Sequence, residues 1–360
     1  MYKGKHIAVV CNYQLKHNRI GSMDRFFLAF DAACKTKGLS VHWFFPKSEQ
    51  IEFYKNISFY SDNVSSVETL FLNHIEKRSH NYNYVFTHFI ELFTPFYKKI
   101  RQQVNCKTFA VDHMSRPING FPLKKKIKRK IKYLVYRNYI DKVVAVSHYI
   151  KNQNINDYSF TLKSKIEVIY NGIDTKLFNN SKQKQESEKI NFIVVSHLVY
   201  EKGIQDLLLA LNKLDEVTLS KINIDIYGEG IYKSVLLDLT DRYNLSHIIS
   251  FKGSVANVYN MYWQYDFMIQ PTYMEAFSLS ILESLFSKVP VITTNVGGNV
   301  EIIQDGINGY LFIPKQVEVL KNIMKDICDN KVFLKDSDIY EEIRNEFALE
   351  TMVDNYIKLL

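Results

Sequence analysis

Short apolar runs recur along this chain, and stretches of about ten to twenty residues with helical spacing lie between them. In the first half the runs fall at 7–10, 41–45, 84–89, 108–111, 143–146 and 166–169. In the second they fall at 192–195, 248–251, 267–270 and 289–293, with Ile222, Ile224 and Ile226 alternating up to Gly228. Phe26, Phe27, Phe30 and Ala33, and later Leu207, Leu208, Leu211 and Leu214, are spaced for one buried helical face. Strands and helices in this alternation predict an α/β fold with parallel sheets covered on both faces. At 360 residues the chain exceeds one compact core. Two Rossmann-like domains are expected, over 1–173 and 191–345, joined by a linker at 174–190 around the polar stretch 179–189. A C-terminal helix at 346–360 is expected to pack back on the first domain. Ligands of such sheets bind beyond the carboxyl ends of the strands, so both domains should offer loops to one crevice.

Several classes are excluded early. No apolar run approaches about eighteen residues, the length a membrane-spanning helix needs. The run after Met1 is too short for a signal peptide and lacks a cleavage site. Cys11, Cys34, Cys106 and Cys328 have no metal-ligand spacing, so neither zinc nor a disulfide framework is expected. Charge is divided unevenly. Residues 1–173 carry 28 Lys and Arg against 12 Asp and Glu, a net of +16, while the remainder carries 18 against 26, a net of −8. The basic half is therefore the one expected to face an anionic partner.

The window 270–283 carries the most chemistry. A buried strand ends at Gln270, a tight loop follows, and a helix begins with Leu279, Leu282, Leu285 and Phe286 on one face. The opening N–H groups of such a helix attract an anion. Ser280 and Glu283 have the spacing of a capping box, which alone would account for both. Glu275 has no such local role. An acidic side chain beside an anion site is suited to accept hydrogen bonds from hydroxyl groups.

Glu275 and Glu283 also form the E-x7-E pattern, and other segments fall in register with it. Ser-His-Leu-Val-Tyr-Glu-Lys-Gly at 196–203 is similar to G-R-L-V-x-x-K-G. Tyr-Gly-Glu-Gly at 227–230 is similar to a G-x-G turn, and Phe-Lys-Gly-Ser-Val at 251–255 to an F-x-G strand end. The stretches 296–301 and 305–309 resemble G-G-x-x-E and D-G-x-N-G, and 171–174 matches N-G-x-D. Together these resemble the retaining glycosyltransferase family four, the glycosyl transferases group 1. The fold so implied is GT-B, two Rossmann-like domains facing a central cleft.

The resemblance implies that Glu275 bonds hydroxyls of the donor sugar and Glu283 the ribose of its nucleotide. It implies that Lys202 neutralises the diphosphate together with the N–H groups of Phe277, Ser278 and Leu279, with His197 and Val255 also at the nucleotide. This would be leaving-group stabilisation without a metal or other cofactor. Two departures are visible: His197 stands where the family has arginine, and 275–278 reads Glu-Ala-Phe-Ser where Glu-Gly-Phe-Gly is common.

The first half resembles the family less. Gly21, Ser22, Met23 and Asp24 are similar to a G-G-x-E loop at the donor phosphates, though a plain helix N-cap gives the same letters. Asp112 and His113 follow a strand where the family often has a cleft histidine. His113 is the candidate, with Asp112 to orient it or to act on an acceptor hydroxyl, and His88 is the alternative histidine. Residues 123–137 place Leu123, Ile127, Ile131, Leu134 and Val135 on one helical face, expected to be buried on the sheet. Lys124, Lys125, Lys126, Lys128, Arg129, Lys130, Lys132 and Arg137 occupy the rest, with no acid among them. Such a run suits an anionic membrane surface.

The function so implied is transfer of a sugar, with retention, from a nucleotide-diphosphate donor, a UDP-sugar, to a lipid-linked glycan acceptor. Its setting would be bacterial cell-surface polysaccharide synthesis, peripherally at the cytoplasmic membrane face. A GT-B sugar-nucleotide epimerase is the first alternative, disfavoured by the E-x7-E order and the basic helix. A nucleic-acid-binding protein is the second; no nucleic-acid motif accompanies the charge, so no nucleic acid is expected as partner.

Overall fold

The computed structural model of the chain describes residues 4–16, 20–48, 52–77, 81–178, 187–331, 334 and 339–360. Most of the polar stretch expected as a linker, 179–186, lies outside the described residues. The chain divides into two compact units, Met1–Gly172 with Leu349–Leu360, and Ile173–Ala348.

The first unit is built on β1 (His6–Cys11), β2 (Ser40–Pro46), β3 (Phe59–Asp62), β4 (Tyr84–His88), β5 (Lys107–Asp112), β6 (Lys142–Ala145) and β7 (Ile166–Val168). They form one parallel sheet in the order β3-β2-β1-β4-β5-β6-β7. β3 was not anticipated: Phe-Tyr-Ser-Asp is a half-exposed edge strand without a buried apolar run. β4 ends at His88 rather than 89, because Phe89 turns the chain at φ 58°. Helix Ser22–Thr36 buries Phe26, Phe27 and Phe30, with Phe27 5.1 Å from Trp43 and Phe30 5.6 Å from Phe86, ring to ring. The last helix, Leu349–Lys358, belongs to this unit and sets the Tyr356 ring 4.9 Å from Phe26 and 5.9 Å from His88.

The second unit holds β8 (Ile190–Val195), β9 (Ile222–Tyr227), β10 (Ile249–Gly253), β11 (Phe267–Gln270), β12 (Val291–Thr294) and β13 (Gly309–Phe312). They too are parallel, in the order β10-β9-β8-β11-β12-β13. Leu207, Leu208 and Leu211 pack against Ile222, Ile224 and Ile226 as their spacing predicts. In each sheet the winding reverses at one place, between β1 and β4 in the first and between β8 and β11 in the second. The loops leaving those strands are where an open parallel sheet receives its ligand.

Helix Leu123–Tyr136 corrects a sequence expectation. Its apolar stripe is not buried on the sheet: Leu123, Ile127, Ile131, Leu134 and Val135 are all at least half exposed, and the face turned inward carries Arg129 and Tyr133. Arg129, expected among the surface cations, is 3% exposed. Its guanidinium lies 4.8 Å from the Phe121 ring and 4.2 Å from Tyr158, and 3.5 Å from Asp157 Oδ2. Tyr133 packs on Phe93 at 5.0 Å and exchanges a hydrogen bond with Thr161 Oγ1 at 2.8 Å. A buried carboxylate and three aromatic rings thus outweigh the aliphatic stripe in setting the helix's rotation.

Candidate active site

In the second unit the loops after β8 and β11 meet. Lys202 follows β8 and Glu275 follows β11, and Lys202 Nζ donates to Glu275 Oε2 at 2.7 Å, both side chains only about one-fifth exposed or less. The other carboxylate oxygen, Oε1, accepts from the Ala276 N–H at 3.2 Å. Backbone contacts fix the two loops to each other. Tyr273 N–H donates to Glu201 C=O at 2.7 Å, and Thr272 Oγ1 donates to the same carbonyl at 3.2 Å. Tyr273 OH donates to Asp206 Oδ1 at 2.8 Å and accepts from Gln205 Nε2 at 2.8 Å. Burial raises the Asp206 pKa, against the pull of the Tyr273 hydrogen bond. Two glycines of the motif run are required by this packing. At Gly203 (φ +70°) a Cβ would stand 1.9 Å from Pro271 O, and at Gly297 (φ +61°) one would stand 1.9 Å from Glu275 O.

The helix after the loop is Leu279–Phe286, and its N-cap is Ser278, whose Oγ accepts from Ile281 N–H at 3.4 Å. The capping role assigned to Ser280 therefore falls to Ser278. Gln270 Nε2 donates to both Ser278 Oγ and Ser280 Oγ at 3.0 Å, so the end of β11 holds the helix start directly. Phe277 is buried with its ring 5.5 Å from Phe347, and Leu279 opens the helix. Glu283 lies one turn in, half-buried, where the buried Tyr262 OH donates to its Oε2 at 3.4 Å. His197 is exposed just beyond β8, and Val255 is exposed beyond β10. Lys202, Glu275 and the Ser278 helix start are thus assembled from loops at one sheet edge. Tyr273, Gln270 and Tyr262 were not singled out in the sequence, where they read as ordinary core or loop residues.

In the first unit Gly21 is the N-cap of helix Ser22–Thr36 and donates its N–H to Asp24 Oδ2 at 2.8 Å. Asp24 is fully buried and also accepts from Tyr13 OH at 2.8 Å and from Tyr54 OH. The helix-cap reading of 21–24 is the one this geometry supports locally, with Ser22 buried at the first helical position. His88 ends β4 and His113 follows β5, with His88 Nδ1 3.1 Å from His113 Nε2, and the Phe89 ring stacks on His113 at 4.1 Å. Burial lowers the His113 pKa to about 4 against the opposing charge of Asp112, and burial together with His113 holds His88 well below its usual value.

Asp112 has partners other than His113. Its Oδ1 accepts from Met114 N–H at 2.9 Å, and its Oδ2 from Arg116 Nη2 and Asn154 Nδ2, both at 2.8 Å. Arg116 Nε donates in turn to Asp157 Oδ2 at 2.9 Å. Burial alone would raise the Asp112 pKa; the Arg116 guanidinium and these hydrogen bonds outweigh it and hold the carboxyl below its ordinary value. Among the described residues no group of three His, Cys, Asp or Glu side chains is placed to hold a metal ion, and no helix is long and apolar enough to cross a membrane.

Comparison with known proteins adds the family context. Residues 176–346 match the family model described as Glycosyl transferases group 1, and residues 31–177 match that of Glycosyltransferase Family 4. The N-acetyl-alpha-D-glucosaminyl L-malate synthase of Bacillus anthracis is 29% identical over 57% of this chain and 56% of its own length. An uncharacterized glycosyltransferase of Methanocaldococcus jannaschii is 29% identical over 59% and 57%. The chain thus spans little more than half the length of these curated relatives. The Anabaena protein HepE, solved with UDP and glucose, superposes with a TM-score of 0.76 at 16% identity over 99% of both chains. At that identity the likeness is one of fold, GT-B with two Rossmann-like sheets.

Proposed function

We propose, for a chain that belongs to the group 1, family four glycosyltransferases, that it transfers a sugar from a UDP-sugar donor with retention of configuration. The observation that carries this reading is the Lys202–Glu275 pair at the place where the second sheet reverses its winding. A cation and a hydrogen-bond acceptor are fixed there side by side, next to a helix start. A nucleotide-sugar needs those three features: a charge for the diphosphate, N–H groups for its oxygens, and a carboxylate for the sugar hydroxyls. As the glycosidic bond breaks, charge grows on the diphosphate, and Lys202 with the N–H groups of Phe277, Ser278 and Leu279 stabilises it without a metal. Glu275 orients the sugar. Glu283, steadied by Tyr262, takes the ribose, and His197 and Val255 border the nucleotide.

In the first unit His113, kept neutral by burial, is suited to a hydrogen bond with a hydroxyl group, while Asp112 acts through the Arg116 cluster as a positioning residue. The acceptor we infer is a lipid-linked glycan of the cell envelope, presented at an anionic membrane surface that Lys124, Lys125, Lys126, Lys128, Lys130 and Lys132 face. A 41.2 kDa Klebsiella pneumoniae protein in the cps region, 25% identical over 89% of this chain and 92% of its own, is a relative in keeping with that setting.

The test is thermal unfolding with UDP, GDP, ADP and CMP, each with magnesium and with EDTA, followed by sugar transfer from the matching donor. A ligand at about a hundred times its dissociation constant stabilises by about 2.7 kcal/mol. A UDP-selective shift that survives EDTA supports the reading, and no shift with any nucleotide contradicts it.

A further inference from the structure

Helix Leu123–Tyr136 shows solvent the face that its sequence marks as inside. At about 100° per residue, Leu123, Ile127, Ile131, Leu134 and Val135 share one arc roughly opposite Arg129 and Tyr133. Their exposures are 74, 50, 56, 64 and 55%, against 3 and 2% for the two inward residues. Lys128 and Lys132 lie along one border of the stripe, Lys126 and Lys130 along the other, and Lys124 projects within the arc at the first turn. Lys132 pairs with Glu91 at 2.7 Å, and Lys125 sits 3.9 Å over the Phe121 ring. Exposed aliphatic side chains in a continuous row are uncommon on a protein surface and mark a contact site.

The border identifies the occupant. A second copy of this chain docking on the same face would set lysine against lysine, and a hydrophobic protein groove would need acidic rims to match. An anionic bilayer meets both halves at once: aliphatic side chains enter the acyl boundary, and lysines extend along them to the phosphates.

We propose that this helix lies in the plane of an anionic lipid bilayer, with Leu123, Ile127, Ile131 and Leu134 inserted below the phosphates and the flanking lysines on them. This rests on the reading above that the basic face meets a membrane, and extends it from charge attraction to insertion. The burial of Arg129 against Asp157, Phe121 and Tyr158 is what turns the stripe outward, so the docking face is built into the fold.

The test uses the full chain with vesicles of phosphatidylglycerol and phosphatidylcholine, at low salt and at about 0.5 M, where screening leaves charge attraction only a few ångströms of range. Ile127→Ser with Ile131→Ser should lower vesicle affinity at least about tenfold, with unchanged melting temperature and an unchanged UDP-induced shift. An Ile131→Trp variant should shift its emission to the blue on binding and be quenched by acyl-chain-brominated lipid. Binding that salt abolishes, that the serine variant retains and that bromine does not report would overturn insertion while leaving the membrane reading in place. No vesicle binding at all would overturn both. A dimer that the serine substitutions dissolve, without vesicle binding, would assign the stripe to a second copy and overturn the proposal as well.

Discussion

Lys202 Nζ and Glu275 Oε2 stand 2.7 Å apart, so each of these two largely buried charges is held by the other. In the donor site proposed above, a diphosphate would compete with Glu275 for Lys202, and its sugar would offer Glu275 hydroxyl donors in return. Binding and transfer should therefore separate on mutation. Glu275→Gln is expected to bind UDP at least as tightly as the parent while transfer falls by about 10²-fold or more. Lys202→Ala should weaken UDP binding at least about tenfold, as loss of a charge-assisted contact does. Since the pair is about four-fifths buried, either change leaves a charge without its partner and should cost about 1–3 kcal/mol of stability. Calorimetric titration with UDP beside initial rates checks this, and a parallel loss of both properties in Glu275→Gln would contradict it.

Gly297 carries its motif for a steric reason. A Cβ there would lie 1.9 Å from Glu275 O, on backbone at φ +61°. Gly297→Ala must push the Glu275 loop away or hold alanine in a strained conformation, at a cost of about 1–3 kcal/mol. The expected result is a melting temperature lower by several degrees together with slowed transfer. An unchanged melting temperature would mean that the loop yields without cost.

The sequence made the sheets legible wherever strands are buried on both faces, because β1, β4, β5 and β8 read as unbroken apolar runs. It concealed β3, an edge strand with Ser61 and Asp62 in it, and the N-cap at Ser278, which Gln270 fixes from eight residues away. The Glu275 loop stood out because an acid beside a helix start lacks a local explanation. The rotation of helix Leu123–Tyr136 was hidden for another reason. Helical periodicity identifies an apolar stripe, but Arg129 is drawn inward by Asp157 and Tyr158, which the chain supplies only after two further elements.

The same remoteness applies to Asp112, whose partner Asn154 lies 42 positions on. Asp112, Arg116 and Asp157 form a buried ionic cluster with 3, 2 and 3% exposure. Asp157→Asn removes the carboxylate that Arg116 and Arg129 share and leaves Asp112, on Arg116, to balance both buried guanidinium groups; breaking a buried pair in this way costs about 3–5 kcal/mol. Denaturant unfolding should show that loss in the midpoint. A loss below about 1 kcal/mol would mean that the cluster is solvated in solution.

His197 is exposed just beyond β8, where the motif resemblance expects an arginine. If the diphosphate lies against that loop, His197→Arg adds a permanent, two-pronged donor. UDP affinity should rise about tenfold near neutral pH. Equal or weaker binding by the arginine variant would show that the loop has been reshaped around the smaller ring.

His88 Nδ1 and His113 Nε2 share one hydrogen bond of 3.1 Å, so one ring donates, the other accepts, and the pair is built for neutral imidazoles. Burial lowers both pKa values in the folded protein, His113 to about 4 and His88 well below its usual value, whereas an unfolded histidine titrates near about 6.5. Between those limits the unfolded chain binds more protons than the folded one. The stability that depends on the neutral pair is complete above about pH 6.5 and is lost as pH falls toward about 4. His113→Asn deletes one of the two titrations. The stability advantage of the parent over the variant should therefore be constant above about pH 6.5 and narrow steadily below it, as followed by denaturant unfolding at successive pH values. An advantage that stays constant down to about pH 4.5 would mean that His113 accepts a proton in the folded protein as readily as in the unfolded chain.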